Sequence, residues 1–322
     1  MHYDVFNGDA DGIIALLQLR LAEPKESVLV TGVKRDIKLL SQVEKAGDAS
    51  SVTCLDISME KNQEPLLTLL KKQIPVFYCD HHRTGDIPDS SNLDVLVNLD
   101  AEVCTSLLIN QKLQGKYVHW ATAAAFGDNL HKRALALGEK EGLNQADIDF
   151  LCELGTLINY NGYGATLDDL HIPPAKLFKQ LLAYPDPFSL RDDLNSPFYA
   201  LKQGYDQDYV NIENLTPSED NSICCVYELP CESWARRVSG VFGNELANQS
   251  PDLAHAVLTL NASGNDYTVS VRAPLNNRTG ADEVCTQFAT GGGRKAAAGI
   301  NALPVGEKAK FIKVLTKFFS NQ

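Results

Sequence analysis

Long apolar runs, paired cysteine motifs and clustered basic residues are all missing from this sequence. No apolar run reaches the roughly 18–20 residues of a membrane-spanning helix, so no transmembrane segment is expected. None of the eight cysteines is spaced C-x-x-C, which excludes the common zinc-knuckle and thioredoxin motifs. The 29 Lys and Arg residues are outnumbered by 41 Asp and Glu and cluster only in short pairs, for a net charge of −12. Because long nucleic acids are held by basic surfaces, a short ligand is favoured over a long polyanion.

The cysteines and the first residues indicate a reducing compartment. Cys54, Cys79 and Cys104 lie in apolar runs, where unpaired cysteines are usually buried thiols. The N-terminal residues lack the basic segment and the apolar stretch that together mark a secretory signal. A cytoplasmic location is therefore the expectation.

The 322 residues are enough for two domains with separate cores. Residues 1 to about 110 alternate short apolar strands with helical patterns, which predicts βαβ units and a parallel sheet. Helical periodicity continues to about residue 184, and a turn-rich acidic stretch follows. We therefore predict an α/β fold with an active-site cleft between its two domains. The predicted parts are a catalytic domain over 1–190, a linker region over 191–221 and a smaller α+β substrate-binding domain over 222–322.

Acidic residues follow the predicted strands of the first domain. Asp9 and Asp11 lie between glycines directly after the first apolar run, Asp56 follows the third, and Asp80-His81-His82 ends the fourth. Another acid, Asp128, ends a run of small apolar residues. Helix capping would account for one such acid, but ligands of open α/β sheets bind where the strands end. Because carboxylate and imidazole groups bind Mn²⁺, Mg²⁺ and Zn²⁺, the pattern predicts a divalent-cation site there.

Taken in order, these motifs resemble those of the DHH phosphoesterases. The resemblance rests on Asp9-Ala10-Asp11-Gly12, Asp56, Asp80-His81-His82, Gly127-Asp128 and, near the C-terminus, Gly291-Gly292-Gly293-Arg294-Lys295-Ala296-Ala297-Ala298-Gly299. It spans nearly the whole chain. It implies a metal-binding DHH domain followed by a DHH-associated domain that binds substrate.

The resemblance also implies roles for these residues. Two divalent cations, expected to be Mn²⁺ with Mg²⁺ as the alternative, would be bridged by Asp56. The residues expected to bind the cations are Asn7, Asp9, Asp11, Asp56, His81 and Asp128. The expected catalytic residues are Asp80, which would orient imidazoles or bound water, and His82, which would contact the scissile phosphate. The residues expected to bind substrate are His82, Arg272, Gly291, Gly292, Gly293 and Arg294.

Two positions depart from the family pattern. Asn7 stands where the family often has His or Asp, which would cost one cation an imidazole or anionic ligand. Arg294 stands where a histidine is usual; arginine exchanges no proton near neutral pH, but it clamps a phosphate bidentately. The three glycines before it precede a helix-like segment, Lys295 to Ala298. Backbone N–H groups exposed there would form an anion site.

The resemblance and the acidity together predict hydrolysis of short 5′-phosphorylated oligoribonucleotides. Linear dinucleotides such as pGpG, cleaved to mononucleotides, are the favoured substrates. Two alternatives stay open: a 3′-phosphoadenosine-5′-phosphate phosphatase with the same metal site, and a non-catalytic regulator that binds nucleotides. The expected partners are a short nucleotide substrate and, in a homodimer, a second copy of the chain. Neither a long nucleic acid nor a membrane is expected.

Overall fold

The structure is a computed structural model that describes residues 1–320. It divides into two compact units, the first formed by Met1–Gly204 and the second beginning at Tyr205. The division falls within a helix, Pro197–Tyr209, that occupies part of the predicted linker region. Each unit has its own sheet.

The first unit is built on a five-stranded parallel sheet in the order β2-β1-β3-β4-β5. Its strands are β1 (His2–Phe6), β2 (Val28–Val30), β3 (Ser51–Leu55), β4 (Val76–Asp80) and β5 (Leu93–Val97). The central strands consist mostly of apolar residues and are buried on both faces, as in other parallel sheets. The predicted α/β fold with a parallel N-terminal sheet is confirmed.

Nine α-helices follow or separate these strands within the described residues, and the last of them continues into the second unit. They are α1 (Ala10–Ala22), α2 (Leu40–Ala46), α3 (Gln63–Lys71), α4 (Thr105–Lys112), α5 (Val118–Gly127), α6 (His131–Lys140), α7 (Gln145–Asn161), α8 (Pro174–Leu181) and α9 (Pro197–Tyr209). Helices α5 and α7 pack closely because Gly155 has no side chain; a Cβ there would lie 1.9 Å from the Ala123 carbonyl oxygen. This packing positions the C-terminal end of α5, where Asp128 follows.

The second unit is α+β, with a mixed sheet in the order β10-β11-β9-β8-β7-β6. Its strands are β6 (Glu219–Asp220), β7 (Cys224–Leu229), β8 (Ala254–Leu260), β9 (Asp266–Arg272), β10 (Gly291–Gly293) and β11 (Ala297–Pro304). Its helices are α10 (Ser233–Gln249), α11 (Ala281–Cys285) and α12 (Lys308–Phe319). Strands β7 and β8 pair in parallel and the other neighbours are antiparallel.

The helix-like interpretation of Lys295 to Ala298 is wrong. Gly291 to Gly293 form an edge strand that pairs antiparallel with Ala298 to Ile300, and that second strand also pairs with β9. Burial alternates along it, with Ala298 and Ile300 in the core. Pairing on both sides therefore outweighs the helix propensity of the alanines, and no helix N-terminus follows the glycines.

One smaller expectation is also confirmed. Cys54, Cys79 and Cys104 are buried free thiols. In residues 1–320, no helix is both long enough and apolar enough to cross a membrane.

Candidate metal centre

The register of the parallel sheet brings three polar side chains to one edge. Phe6 pairs with Leu55, and Leu55 pairs with Cys79. The next residues along the chain are Asn7 and Asp56, which directly follow β1 and β3, and Asp80, which ends β4. All three therefore lie at the same level of the sheet. The sequence showed that each polar residue follows a strand, and the strand order makes those strands neighbours.

His81 presents one ring nitrogen to three carboxylates. Its Nδ1 lies 2.7 Å from the Val103 carbonyl oxygen, and because a carbonyl only accepts, Nδ1 carries the proton. Its Nε2 lies 3.4 Å from Asp56 Oδ1, 3.7 Å from Asp11 Oδ2 and 4.0 Å from Asp128 Oδ2. These separations exceed those of N–H···O hydrogen bonds. A ring nitrogen with a lone pair among three carboxylates is the arrangement of a histidine that binds a metal.

Asp56 lies in the most strongly anionic part of this centre. Burial raises the pKa of its carboxyl well above the usual range, and the neighbouring Asp11 and Asp9 carboxylates raise it further. The residue also adopts a left-handed backbone conformation with φ of 57°, which is uncommon for a non-glycine residue and is concentrated at functional sites. A cation bound here would supply the positive charge that Asp56 needs to remain ionised.

Asp11 has a structural task as well. Its two carboxylate oxygens accept the backbone N–H groups of Thr105 at 2.7 Å and Ser106 at 2.6 Å, so it caps the N-terminus of α4. A cap supplied from 94 residues earlier in the chain leaves no local sequence pattern. Each carboxylate oxygen has a second lone pair, and the oxygen near His81 can therefore also bind a cation.

Asp80 and His82 form a hydrogen-bonded pair beside the cluster. His82 Nδ1 lies 2.7 Å from Asp80 Oδ1. Burial would raise the pKa of the Asp80 carboxyl, but the adjacent imidazoles of His82 and His81 outweigh it and lower the pKa. The pair leaves His82 Nε2 for a ligand, and the side chain is 30% exposed. Asp56, His81 and His82 each offer a ligand atom within 4.8 Å of the others.

Lys34 belongs to this site although sequence analysis did not include it. Its ammonium Nζ lies 2.5 Å from Asp9 Oδ2 and 2.9 Å from Asn159 Oδ1. Burial would lower the pKa of Lys34, but the Asp9 carboxylate outweighs it and raises the pKa. Burial would raise the pKa of the Asp9 carboxyl, but the Lys34 ammonium outweighs this effect and lowers the pKa. The only signal in the sequence was a basic pair with Arg35 after the second apolar run.

The donor set fits a divalent cation. Asn7 Oδ1 and Asp80 Oδ2 are buried and have no hydrogen-bond partner within residues 1–320, and such oxygens are costly unless a ligand satisfies them. Asn7 Oδ1 joins the carboxylates and His81 in a set of oxygen and nitrogen donors suited to Mn²⁺ or Mg²⁺. The structure thus brings together the six predicted cation ligands, Asn7, Asp9, Asp11, Asp56, His81 and Asp128, on the first unit.

The other predicted substrate-binding residues lie in the second unit. Arg272 donates from Nε to Asn244 Oδ1 at 2.6 Å, from Nη1 to Ser270 and Val271, and from Nη2 to Gly240. These bonds to described residues use four of the five guanidinium N–H groups, so one Nη2–H is left for a ligand.

The three glycines of the motif differ in whether packing leaves room for a side chain. A Cβ on Gly291 would lie 1.7 Å from the Cys285 carbonyl oxygen, and Gly293 has φ of 142° and closely approaches Ala298. By contrast, a Cβ on Gly292 would meet nothing within 4 Å. Arg294 lies in the turn that follows, where its N–H donates to the Ala297 carbonyl oxygen at 2.8 Å. Packing therefore explains two of the three glycines, and Gly292 is the one that a ligand could require.

Comparison with known proteins identifies the fold. No family model matches the chain, and no curated protein matches it. Among solved structures it is similar to exonuclease RecJ bound to manganese, with 16% identity and a TM-score of 0.61 over the whole chain and 90% of RecJ. It is also similar to Mn²⁺-bound RecJ from Thermus thermophilus, with 16% identity and a TM-score of 0.64, and spans 52% of that chain.

A third similar structure is PggH from Vibrio cholerae, described as a pGpG-specific phosphodiesterase. Identity is 13% and the TM-score is 0.56, over the whole of this chain and 99% of PggH. An α/β protein with a carboxylate–histidine centre at its strand ends thus has the fold of the DHH phosphoesterases. The resemblance that the motifs predicted is confirmed at the level of the fold.

Proposed function

We propose that this protein is a metal-dependent phosphoesterase. The observation that carries the proposal is the position of His81 Nε2, which faces Asp11, Asp56 and Asp128 within 4.0 Å while Nδ1 is held by the Val103 carbonyl. The similarity to RecJ structures that hold Mn²⁺ or Mg²⁺ supports the choice of these cations. A divalent cation held here supplies Lewis acidity and lowers the pKa of bound water.

The residues around the cation would divide the remaining work. Asp80 accepts from His82 Nδ1 at 2.7 Å and so orients the imidazole. When the ring carries a second proton, its Nε2–H can contact the scissile phosphate or protonate the leaving oxygen. Thr105 Oγ1 donates to Asp56 Oδ1 at 3.3 Å, which restrains the carboxylate beside the cation. In the second unit, the remaining Nη2–H of Arg272 and the guanidinium of Arg294 would bind a substrate phosphate.

The substrate we propose is a short 5′-phosphorylated oligoribonucleotide, with linear dinucleotides such as pGpG preferred. The net charge of −12 opposes binding of long polyanions. PggH, described as a pGpG-specific phosphodiesterase, has a similar fold over nearly the full length of both chains, and this similarity is the reason for naming a dinucleotide as the preferred substrate.

A turnover assay with Mn²⁺ tests both the proposed reaction class and the proposed substrate. The panel is pGpG, pApA, a five-nucleotide RNA, 3′-phosphoadenosine-5′-phosphate and a cyclic dinucleotide, with Asp56→Asn as the inactive control. Fast cleavage of the linear dinucleotides and slow cleavage of the pentamer would support the proposal. Preference for 3′-phosphoadenosine-5′-phosphate would overturn the substrate and keep the reaction class. Nucleotide binding without turnover of any compound would overturn the proposal that the protein is an enzyme and would favour a non-catalytic regulator.

A further inference from the structure

A lysine ammonium already occupies part of the carboxylate cluster. Lys34 Nζ bonds to Asp9 Oδ2 at 2.5 Å and to Asn159 Oδ1 at 2.9 Å, and it lies 5.2 Å from the centre of the Tyr163 ring. The other Asp9 oxygen accepts the Gly12 N–H at 3.0 Å. Asp9 therefore has a full monovalent counterion and a helix N-terminus as partners within its own unit.

The main chain of Lys34 is held as firmly as its side chain. Its N–H donates to the Gly162 carbonyl oxygen at 2.8 Å, and its carbonyl oxygen accepts from Asn7 Nδ2 at 3.1 Å. An aspartate at position 7 has no donor for that carbonyl and would place negative charge against it. The asparagine at position 7 and the lysine at position 34 are therefore matched to each other.

The two sides of the cluster differ in what they can bind. On the side of Lys34, a divalent cation on Asp9 would lie beside a half-buried ammonium and be repelled by it. On the side of His81, the ring nitrogen is surrounded by the carboxylates of Asp11, Asp56 and Asp128. The attraction for a divalent cation is concentrated on that second side.

We infer that the Lys34 ammonium takes the place of one of the two cations expected at this site. This leaves a centre for a single divalent ion whose carboxylate and imidazole ligands are Asp11, Asp56, Asp128 and His81. Lys34 then acts as a permanent charge partner of Asp9. The inference rests on the proposed function, because it counts the ions in the same centre.

The test is the number of Mn²⁺ ions bound per chain, measured by calorimetric titration and by electron paramagnetic resonance. We expect the wild type to bind one ion and to give the spectrum of an isolated Mn²⁺. Lys34→Ala combined with Asn7→Asp should raise the stoichiometry to two and produce a spin-coupled pair. Lys38→Ala is the matched control, since Lys38 is an exposed lysine of the same segment. This variant should still bind one Mn²⁺ ion per chain.

Two ions bound with comparable affinity by the wild type would overturn the inference and leave the proposed function standing. No ion bound would overturn both. A single ion without turnover of any substrate would overturn only the proposed function. The wild-type stoichiometry decides the matter even if the double variant does not fold.

Discussion

The two units use their conspicuous residues in opposite ways. In the first unit, acids are gathered at the strand ends against their mutual repulsion, and burial together with like charges raises the pKa of Asp56. In the second unit, the glycine motif is largely explained by packing, because Gly291 and Gly293 closely approach the backbones of Cys285 and Ala298. The acidic and histidine motifs of the first unit therefore indicate function more directly than the glycine motif of the second unit does.

The sharpest test of this contrast is Asp56→Asn. The variant should lose more than about 100-fold in Mn²⁺-dependent turnover, because even outer partners of metal ligands contribute 10–100-fold. Its metal-free form should unfold at a higher temperature than the wild type, since folding no longer has to bury a carboxylate among like charges or protonate it. Turnover and thermal unfolding without metal are measured side by side. A variant that lost both activity and stability would indicate that Asp56 is needed for the fold.

For the second unit, the contrast predicts that Gly291→Ala and Gly292→Ala behave differently. Gly291→Ala should lower the free energy of unfolding by about 3 kcal/mol, because the new methyl group overlaps the Cys285 carbonyl oxygen. Gly292→Ala, where the methyl group meets open space, should change it by less than about 0.5 kcal/mol. Denaturant unfolding gives both values. If Gly292→Ala also leaves KM for pGpG unchanged, the glycine motif has no part in substrate binding.

Asp80→Asn separates orientation from cation binding. The amide keeps the size of the side chain and removes the charge that holds His82 in place, so we expect kcat to fall by about 10–100-fold. The number of Mn²⁺ ions bound should not change. Steady-state kinetics and metal titration provide the two readouts. Loss of bound metal in Asp80→Asn would place Asp80 among the ligands themselves.

Asp4 offers a comparison within one strand, because it lies in the middle of β1 and serves the fold. Burial would raise the pKa of its carboxyl, but hydrogen bonds from Arg20 and His2 outweigh it and lower the pKa to about 2. Since the pKa is lower in the folded state, this stabilisation is present above about pH 4 and is lost as the pH falls towards 2, a change of about 2 kcal/mol.

The measurement for Asp4 is the free energy of unfolding from denaturant titrations at several acidic pH values. Asp4→Asn should be less stable near neutral pH and should lose the part of the pH dependence that Asp4 causes. An unchanged pH dependence in that variant would mean that other carboxylates account for the acid sensitivity.

Much of the candidate site could be predicted from the order of elements along the chain. Asp56 and Asp80 each follow an apolar run, and parallel strands end at one edge of a sheet, so their proximity follows from local patterns. The same reasoning failed at Lys295 to Ala298, where alanines form a strand because pairing with β9 and β10 outweighs their intrinsic preference. Local propensity is a weak guide wherever long-range pairing decides.

The sequence by itself determined the class of fold and the residues that can bind a cation, because hydrophobic period and motif spacing are local properties of the chain. Only the tertiary structure decided that Asp11 caps a helix 94 residues later and that Lys34 joins Asp9 and Asn159. These contacts connect residues 25 and 125 positions apart from Lys34, and nothing in the spacing of the residues encodes them. The charge at the centre is therefore set by packing, while the candidate ligands are set by the order of residues along the chain.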